Sequence, residues 1–226
     1  MQERALLHRF GTRTAALSYS VENLLSDLGV SRETGARLER HLALLTDWSA
    51  RMNLIGPREL EDYWRRHALD SAQLIRHAPG AKRWIDLGSG AGFPGLVIAC
   101  CLADGPGVEV TLVESNQRKA AFLREAVRAT GAPAIVVAAR AEDVPPAAYD
   151  VVTARALAPL SRIIEHAKAY LDRGGVGLFL KGEDVAAELA EASQRWALKV
   201  EILPSLSDPR GRIVRVEGAQ IVGPAR

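Results

Sequence analysis

Twelve residues, Trp84 to Gly95 (WIDLGSGAGFPG), restrict what this chain can become more than any other stretch. An apolar run ends in an acid, passes through Gly88, Gly90, Gly92 and Gly95, and opens into a second apolar run. Glycine at three of five positions removes Cβ where the backbone must turn tightly and where its N–H groups approach a ligand. Val108 to Glu114 (VEVTLVE) reads as a second strand, with an acid at its end about twenty residues past the loop, where Rossmann-like sites set a carboxylate against ribose hydroxyls. Gly88, Gly90 and Glu114 are therefore candidate binding residues in a nucleotide-binding turn.

Two cofactors compete for this pattern. Gly90, Gly92 and Gly95 match G-x-G-x-x-G, the dinucleotide fingerprint, but the unit begins some eighty residues into the chain. Asp86-x-Gly88-x-Gly90-x-Gly92 matches the signature of class I S-adenosylmethionine methyltransferases, with an acid two residues before the first glycine. S-adenosylmethionine has no pyrophosphate, so an acid beside the helix N-terminus is more easily tolerated. A strand-to-helix turn without any ligand is the third reading.

Before this unit, residues 1–80 read as a helical cap. Ser31 is placed to cap a helix on which Leu38, Leu42, Leu45, Trp48 and Met52 recur every three or four residues. Gly56-Pro57 breaks it, and residues 58–77 predict one further helix with Leu60, Trp64, Ala68, Leu74 and Ile75 inward. Residues 81–226 then alternate: strand 83–87, helix 93–103, strand 108–114, helix 116–130, strands 134–138 and 149–154, helix 159–171, strand 175–181, helix 184–196. Strands at 198–203 and 212–217 follow, joined through Pro204, Pro209 and Gly211 without a helix. Such β–α alternation argues a parallel sheet covered on both faces, and its ending an antiparallel edge hairpin. The expected fold is α/β, a Rossmann-like seven-stranded sheet with an N-terminal helical cap.

With 226 residues, 48% of them hydrophobic and 25% charged, the chain can bury a sizeable core. Its net charge of +2 is too small to argue a nucleic-acid partner by itself. Cys100 and Cys101 are adjacent on an apolar helix, which suits neither a structural disulfide nor a metal site. The amino terminus lacks an apolar signal core, and no segment approaches the roughly 20 apolar residues of a membrane span, so a cytoplasmic protein without membrane contact is expected.

Ligands of open α/β sheets collect at the carboxyl ends of the strands. There the sequence places Arg140-Ala141-Glu142, Thr153-Ala154-Arg155-Ala156, Lys181-Gly182, and Arg210 with Arg212. Four of these sites put a cation on one rim, a candidate phosphate-tracking patch, although any one of them alone reads as a solvated surface charge. The fourth strand ends in Thr-Ala-Arg-Ala rather than Asn-Pro-Pro-Tyr, which disfavours methylation of an exocyclic amine. The cysteines lie on the first crossover helix, poorly placed for the nucleophile that pyrimidine carbon-5 methylation needs. An acceptor with a free lone pair and no proton to remove, such as guanine N7, suits such a site.

These residues together resemble the small-subunit ribosomal RNA methyltransferase G family, also called glucose-inhibited division protein B. The resemblance rests on Trp48 with Asn53-Leu54, Arg66-His67-x-Leu69-Asp70-Ser71, Asp86-x-Gly88-x-Gly90-x-Gly92-Phe93-Pro94-Gly95, Arg140-x-Glu142, Arg155-Ala156, Lys181-Gly182 and Arg212. It implies a bacterial enzyme that methylates N7 of one guanine (guanine 527 by family analogy) in 16S ribosomal RNA, with S-adenosylmethionine as donor. Carried over, the cofactor contacts fall on Gly88, Phe93, Ala141, Glu142 and Arg155, beside Gly90 and Glu114 of the general pattern. Arg140, Lys181 and Arg212 match basic residues around the cofactor mouth and are the expected RNA contacts. No general base and no metal are implied. His67 and Asp70 are expected to order the cap against the sheet. The sequence departs from the family at Thr153, for a frequent serine, at Ile55, for a frequent threonine, and at Ile213, for a polar residue.

The expected partner is 16S ribosomal RNA or the small ribosomal subunit, met by a monomer. A class I methyltransferase acting on a protein or small molecule, a nicotinamide dehydrogenase and a non-catalytic RNA-binding module are the competing readings. Arg4, Arg9 and Arg13 would extend an RNA track, although a solvated helix face explains them more simply.

Overall fold

The computed structural model describes residues 19–222, so Arg4, Arg9 and Arg13 lie outside the described residues. Helix α1 (Val21–Leu28) starts on the Ser20 side chain and closes at Gly29, which takes the left-handed conformation at φ 65°. In α2 (Arg32–Ser49) the Ser31 hydroxyl accepts the Thr34 amide at 3.1 Å, the cap its position predicts. Its buried face is Thr34, Gly35, Leu38, His41 and Leu45, with Leu42 and Trp48 half-buried against the same core.

Residues 58–77 do not form the single helix that periodicity predicts. They divide into α3 (Pro57–Glu61), a π-helical segment (Tyr63–Leu69), the single turn α4 (Asp70–Ala72) and a 3-10 turn (Gln73–His77). Tyr63, His67, Ala68, Leu69, Ser71, Ala72, Gln73 and Leu74 are all buried, a set too wide for one α-helical face. The wider π turn brings Tyr63 and the His67–Leu69 run inward together.

The sheet comprises β1 (Arg83–Leu87), β2 (Glu109–Val113), β3 (Ala134–Val137), β4 (Val151–Arg155), β5 (Val176–Lys181), β6 (Trp196–Pro204) and β7 (Arg212–Ile221) in the order β3-β2-β1-β4-β5-β7-β6. The first five strands are parallel, and β7 runs antiparallel to both β5 and β6. Helices α5 (Gly95–Leu102), α6 (Gln117–Thr130), α7 (Leu160–Leu171) and α8 (Val185–Ser193) make the crossovers, while a 3-10 turn (Ala141–Asp143) alone interrupts the β3–β4 connection. Helix α8 ends before the predicted residue 196, because Trp196 is buried under α7 and opens β6 opposite Ile221.

Alternating strand residues feed two cores. Trp84, Val110, Leu112 and Leu178 join the helical residues Leu24, Leu38, Leu45 and Tyr63 with α5 and α6. Ile85, Leu87, Val152 and Phe179 pack with α7 and α8 on the other face. Burial on both faces explains why these strands read as unbroken apolar runs. Among the described residues no helix is long and apolar enough to cross a membrane.

Candidate active site

The parallel register brings the ends of β1, β2 and β4 level, with Leu87 opposite both Val113 and Ala154. The turn after β1 is stitched to its neighbours by its own amides. Gly88 and Ser89 both donate to the Val113 carbonyl at 2.9 Å, Gly90 donates to Glu114 Oε2 at 2.9 Å, and Gly92 donates to the Ser89 carbonyl at 2.7 Å. Gly88, Gly90 and Gly92 sit at φ 75°, 55° and 94°, where a side chain is strained. A Cβ on Gly88 would lie 2.6 Å from Leu157 Cδ1, whereas one on Gly90 would meet nothing nearer than the Gly88 carbonyl at 3.8 Å. The outer side of Gly90 is thus the open side of the turn. Glu114 is buried and also accepts the Asn116 amide at 2.7 Å, which fixes its carboxylate beside Gly90.

Asp86 faces the other way. Its Oδ2 accepts the Gly95 amide at 3.1 Å and its Oδ1 accepts the Thr153 hydroxyl at 2.8 Å, inside the protein. Burial pushes its carboxyl up to about 6, opposed by these hydrogen bonds. Gly95 has no room for a Cβ, which would sit 2.6 Å from Asp86 Cβ and 2.5 Å from Leu112 Cδ2. The N-terminus of α5, where a dinucleotide's pyrophosphate would bind, is already taken by this carboxylate, and five of the turn's amides, those of Gly88, Ser89, Gly90, Gly92 and Phe93, have internal acceptors. The turn fits a cofactor whose charge is not phosphate, and it argues against the nicotinamide reading.

Phe93 is buried at the junction of cap and sheet. Its ring stacks on His67 at 4.4 Å, lies under the Arg155 guanidinium at 5.5 Å and touches His41 and Tyr63 edgewise or tilted. Arg155 contacts His67 Nδ1 at 2.7 Å, donates to the Arg66 carbonyl at 3.2 Å and pairs with Asp70 at 3.5 Å. Burial and the neighbouring arginines drive His67 down to about 3, so the ring is neutral and its Nδ1 accepts from Arg155. Asp70 Oδ1 accepts from Gln73 Nε2 at 3.0 Å and from the hydroxyls of Ser205 and Ser207, while Gln73 Oε1 accepts the Leu206 amide at 2.7 Å. His67 and Asp70 therefore knot three elements: the cap, the end of β4 and the β6–β7 loop.

The other expected residues are spread along the rim. Arg140 is exposed and lies 3.7 Å from Glu142, whose other oxygen is 3.8 Å from His166 Nδ1. Ala141 and Glu142 form the 3-10 turn after β3, away from Lys181 and Arg212, which are register partners on β5 and β7. Lys181 is directed inward, 2.6 Å from Glu188 Oε2 and 3.1 Å from the Ala158 carbonyl, and Arg212 donates to the carbonyls of Pro209 and Gly211. A cleft of about 590 Å³ opens between the cap, the ends of β4 and β5 and the β6–β7 loop. Five cations, including Arg66, Arg155 and Arg210, line it against seven carboxylates, so its wall is not the cationic track that the rim residues suggest in sequence. The cysteines lie elsewhere on α5, where burial pushes the Cys100 thiol up to about 12.

His41 carries a role that sequence reading did not assign. Burial lowers it to about 4, so it is neutral; Nε2–H donates to the Ala91 carbonyl at 2.9 Å and Nδ1 accepts from the Tyr63 hydroxyl at 3.0 Å. It braces α2 against the glycine turn. Its spacing from Leu38 and Leu45 on one helical face was the available signal. Glu188, Ser205 and Ser207 had no such signal, because their partners are distant in sequence.

Solved structures share this architecture at low sequence identity. A mutant of MtNAS in complex with S-adenosylmethionine superposes with a TM-score of 0.53 at 18% identity, over 87% of this chain and 83% of that one. A protein from Klebsiella pneumoniae described as a putative O-methyltransferase gives 0.54 at 12% identity, over 80% and 90%. Sequence relatives are much nearer. Ribosomal RNA small subunit methyltransferase G of Bradyrhizobium sp. strain BTAi1 is 50% identical over 191 residues, 83% of this chain and 86% of its own. The protein of that name from Methylorubrum extorquens strain PA1 is 48% identical over 204 residues, 89% of this chain and 97% of its own. A profile of the GidB family, rRNA small subunit methyltransferase G, matches residues 35–213, more than half of the chain, and the chain belongs to that family.

Proposed function

We propose that this chain transfers the methyl group of S-adenosylmethionine to N7 of a single guanine in 16S ribosomal RNA, the guanine that family analogy numbers 527, acting as a monomer in the cytoplasm. The observation that carries the reading is the junction of the glycine turn with the cleft. The turn has positive-φ glycines and an open Gly90, and the residues after β4 link it to the cleft, Leu157 reaching Gly88 while Ala156 lines the cleft.

When bound, S-adenosylmethionine supplies an electrophilic methyl group. The residues fitted to hold it are Gly88, Gly90, Phe93, Glu114, Ala141, Glu142 and Arg155: Glu114 for ribose hydroxyls, the 3-10 turn at Ala141 and Glu142 for the base, and the β4 end for the amino-acid portion. Phe93 acts in this set through packing, since its ring is enclosed by His41, Tyr63, His67 and Arg155. Guanine N7 has a lone pair and no proton, so the chain need supply no general base. Its task is to exclude water and align the two partners, the kind of positioning that lowers a barrier by removing orientational freedom.

Charge divides the labour further. N7 methylation leaves the base cationic, and the carboxylate-rich cleft favours that product over a phosphate. Phosphate contacts then belong to Arg140, Arg212 and the exposed Arg210 at the cleft, with Lys181 in the cleft wall. The test is transfer of labelled methyl to small-subunit ribosomal RNA that lacks its native methylation, with N7-methylguanine mapped by mild chain cleavage. One labelled guanine is the expected result. Label in protein or in small molecules alone would defeat it.

A further inference from the structure

The loop after β4 stands between the glycine turn and the cleft. Ala156 is the only non-glycine residue at positive φ among the described residues, at 50°, and it lines the cleft. The next residue, Leu157, packs its side chain against Gly88. Any methyl passing from a cofactor on the turn to an acceptor in the cleft must cross this boundary.

Two elements beyond the loop hold it. Lys181, the last residue of β5, donates to the Ala158 carbonyl at 3.1 Å and pairs with Glu188 of α8 at 2.6 Å. The same Glu188 oxygen accepts the Leu160 amide at 2.7 Å. The pair thus clasps Ala158 and Leu160 together, and its Lys181 side chain is only 9% exposed. A lysine contacting RNA phosphate presents its ammonium to solvent. This one is turned into the protein, and leaving Glu188 would strand a half-buried carboxylate.

We propose that Lys181 and Glu188 are positioning residues for methyl transfer, acting through the strained Ala156–Ala158 loop to set the distance between cofactor and acceptor. The proposal rests on the methyltransferase reading and adds to it the source of alignment. It separates Lys181 from the phosphate-binding cations of the rim.

The test compares Glu188→Gln, Lys181→Met and the double variant in the full chain. Glu188→Gln keeps an oxygen for the Leu160 amide but removes the charge that holds Lys181. Each single variant is expected to lower kcat by roughly tenfold or more, with KM for RNA and the salt dependence of RNA binding unchanged. S-adenosylmethionine affinity, measured by calorimetry without RNA, is expected to weaken in both, and the double variant to be no worse than the poorer single. Wild-type kcat and cofactor affinity in Glu188→Gln would overturn the proposal. So would a Lys181→Met protein that loses RNA affinity and about 0.9 of the salt slope, the signature of one lost phosphate contact. If Lys181→Met does not fold, the charge-balanced double variant decides: unimpaired kcat there also overturns it. A wild-type chain that methylates no RNA would instead overturn the functional reading, and the calorimetric comparison would still judge the clasp.

Discussion

The Asp86 carboxylate and the Gly95 amide, 3.1 Å apart, tie the end of β1 to the first turn of α5. The acid that marks the motif is thus a brace inside the protein, and its surroundings make it titrate near neutrality. Burial holds its carboxyl at about 6. Between the ordinary carboxylate range and pH 6 the folded chain keeps a proton that the unfolded chain has released. The contribution of Asp86 is therefore largest in acid and lost as pH rises through 6. His41 and His67 act in the opposite direction. Held neutral down to about 4 and 3, they stabilise fully above pH 6.5, and that contribution is lost as pH falls. Two groups with the larger shifts outweigh one, so urea midpoints are expected to fall below pH 6. Asp86→Asn should steepen that fall, the wild type gaining up to about 3 kcal/mol on it between pH 7 and pH 4. A pH-independent difference between the two proteins would show that Asp86 is ionised throughout.

Gly88→Ala and Gly131→Ala separate conformational strain from site geometry. Both glycines have positive φ, 75° and 64°, and both substitutions carry a backbone cost of about 1–2 kcal/mol. Only at Gly88 does the new methyl meet a neighbour, Leu157 Cδ1, whereas Gly131, at the end of α6, has nothing within 4 Å. Gly131→Ala is expected to lower the melting temperature and keep kcat. Gly88→Ala should lose S-adenosylmethionine binding as well, and equal affinity of the two variants for the cofactor would refute a contact at this turn.

How far the sequence reveals this molecule depends on whether a signal is local. The β–α alternation, the Ser31 cap and the closing hairpin were legible because each rests on neighbouring residues. The end of α8 was not, because Trp196 leaves the helix for a partner 25 positions away in β7. The π-helical segment escaped periodicity because it buries three consecutive residues, His67 to Leu69, which α-helical spacing does not place on one face. At the candidate site the sequence names the motif residues but not the directions of their side chains. Arg155 and Lys181 read as rim cations, and each is also paired with a carboxylate, Asp70 and Glu188, contributed by another element. A charge's identity is written in sequence, but its partner is set by tertiary packing.

Arg140 differs from those two in being exposed on 73% of its side chain, with Glu142 at 3.7 Å. Such a surface pair contributes about 0–1 kcal/mol, so Arg140→Ala should leave stability almost unchanged. If Arg140 meets an RNA phosphate, the variant should bind RNA more weakly and show a salt slope shallower by about 0.9. Gel-shift titrations over a range of salt concentrations read both quantities. A slope identical to wild type would place Arg140 off the RNA path.

Asp70 joins the cap to the β6–β7 loop, and its removal tests whether the acceptor side of the cleft is held by that knot. In Asp70→Ala the hydroxyls of Ser205 and Ser207, the Gln73 amide and the Arg155 guanidinium all lose an acceptor. Orphaned groups in a half-buried network cost about 2–4 kcal/mol together, and Arg155 bears the largest share because it keeps its charge. Asp70→Asn retains an oxygen for the hydroxyls and the Gln73 amide but still leaves Arg155 without its carboxylate, so its cost should be smaller than that of Asp70→Ala, about 1–3 kcal/mol. The distinguishing measurement is amide hydrogen exchange. The Leu206 amide, bonded to Gln73 Oε1, should exchange faster in Asp70→Ala while the amides of β1 follow global stability. If Leu206 and β1 amides accelerate in proportion, Asp70 supports the fold at large. Selective acceleration at the loop, with a raised KM for RNA, is the outcome expected if this carboxylate holds the wall that the proposed function assigns to the RNA acceptor.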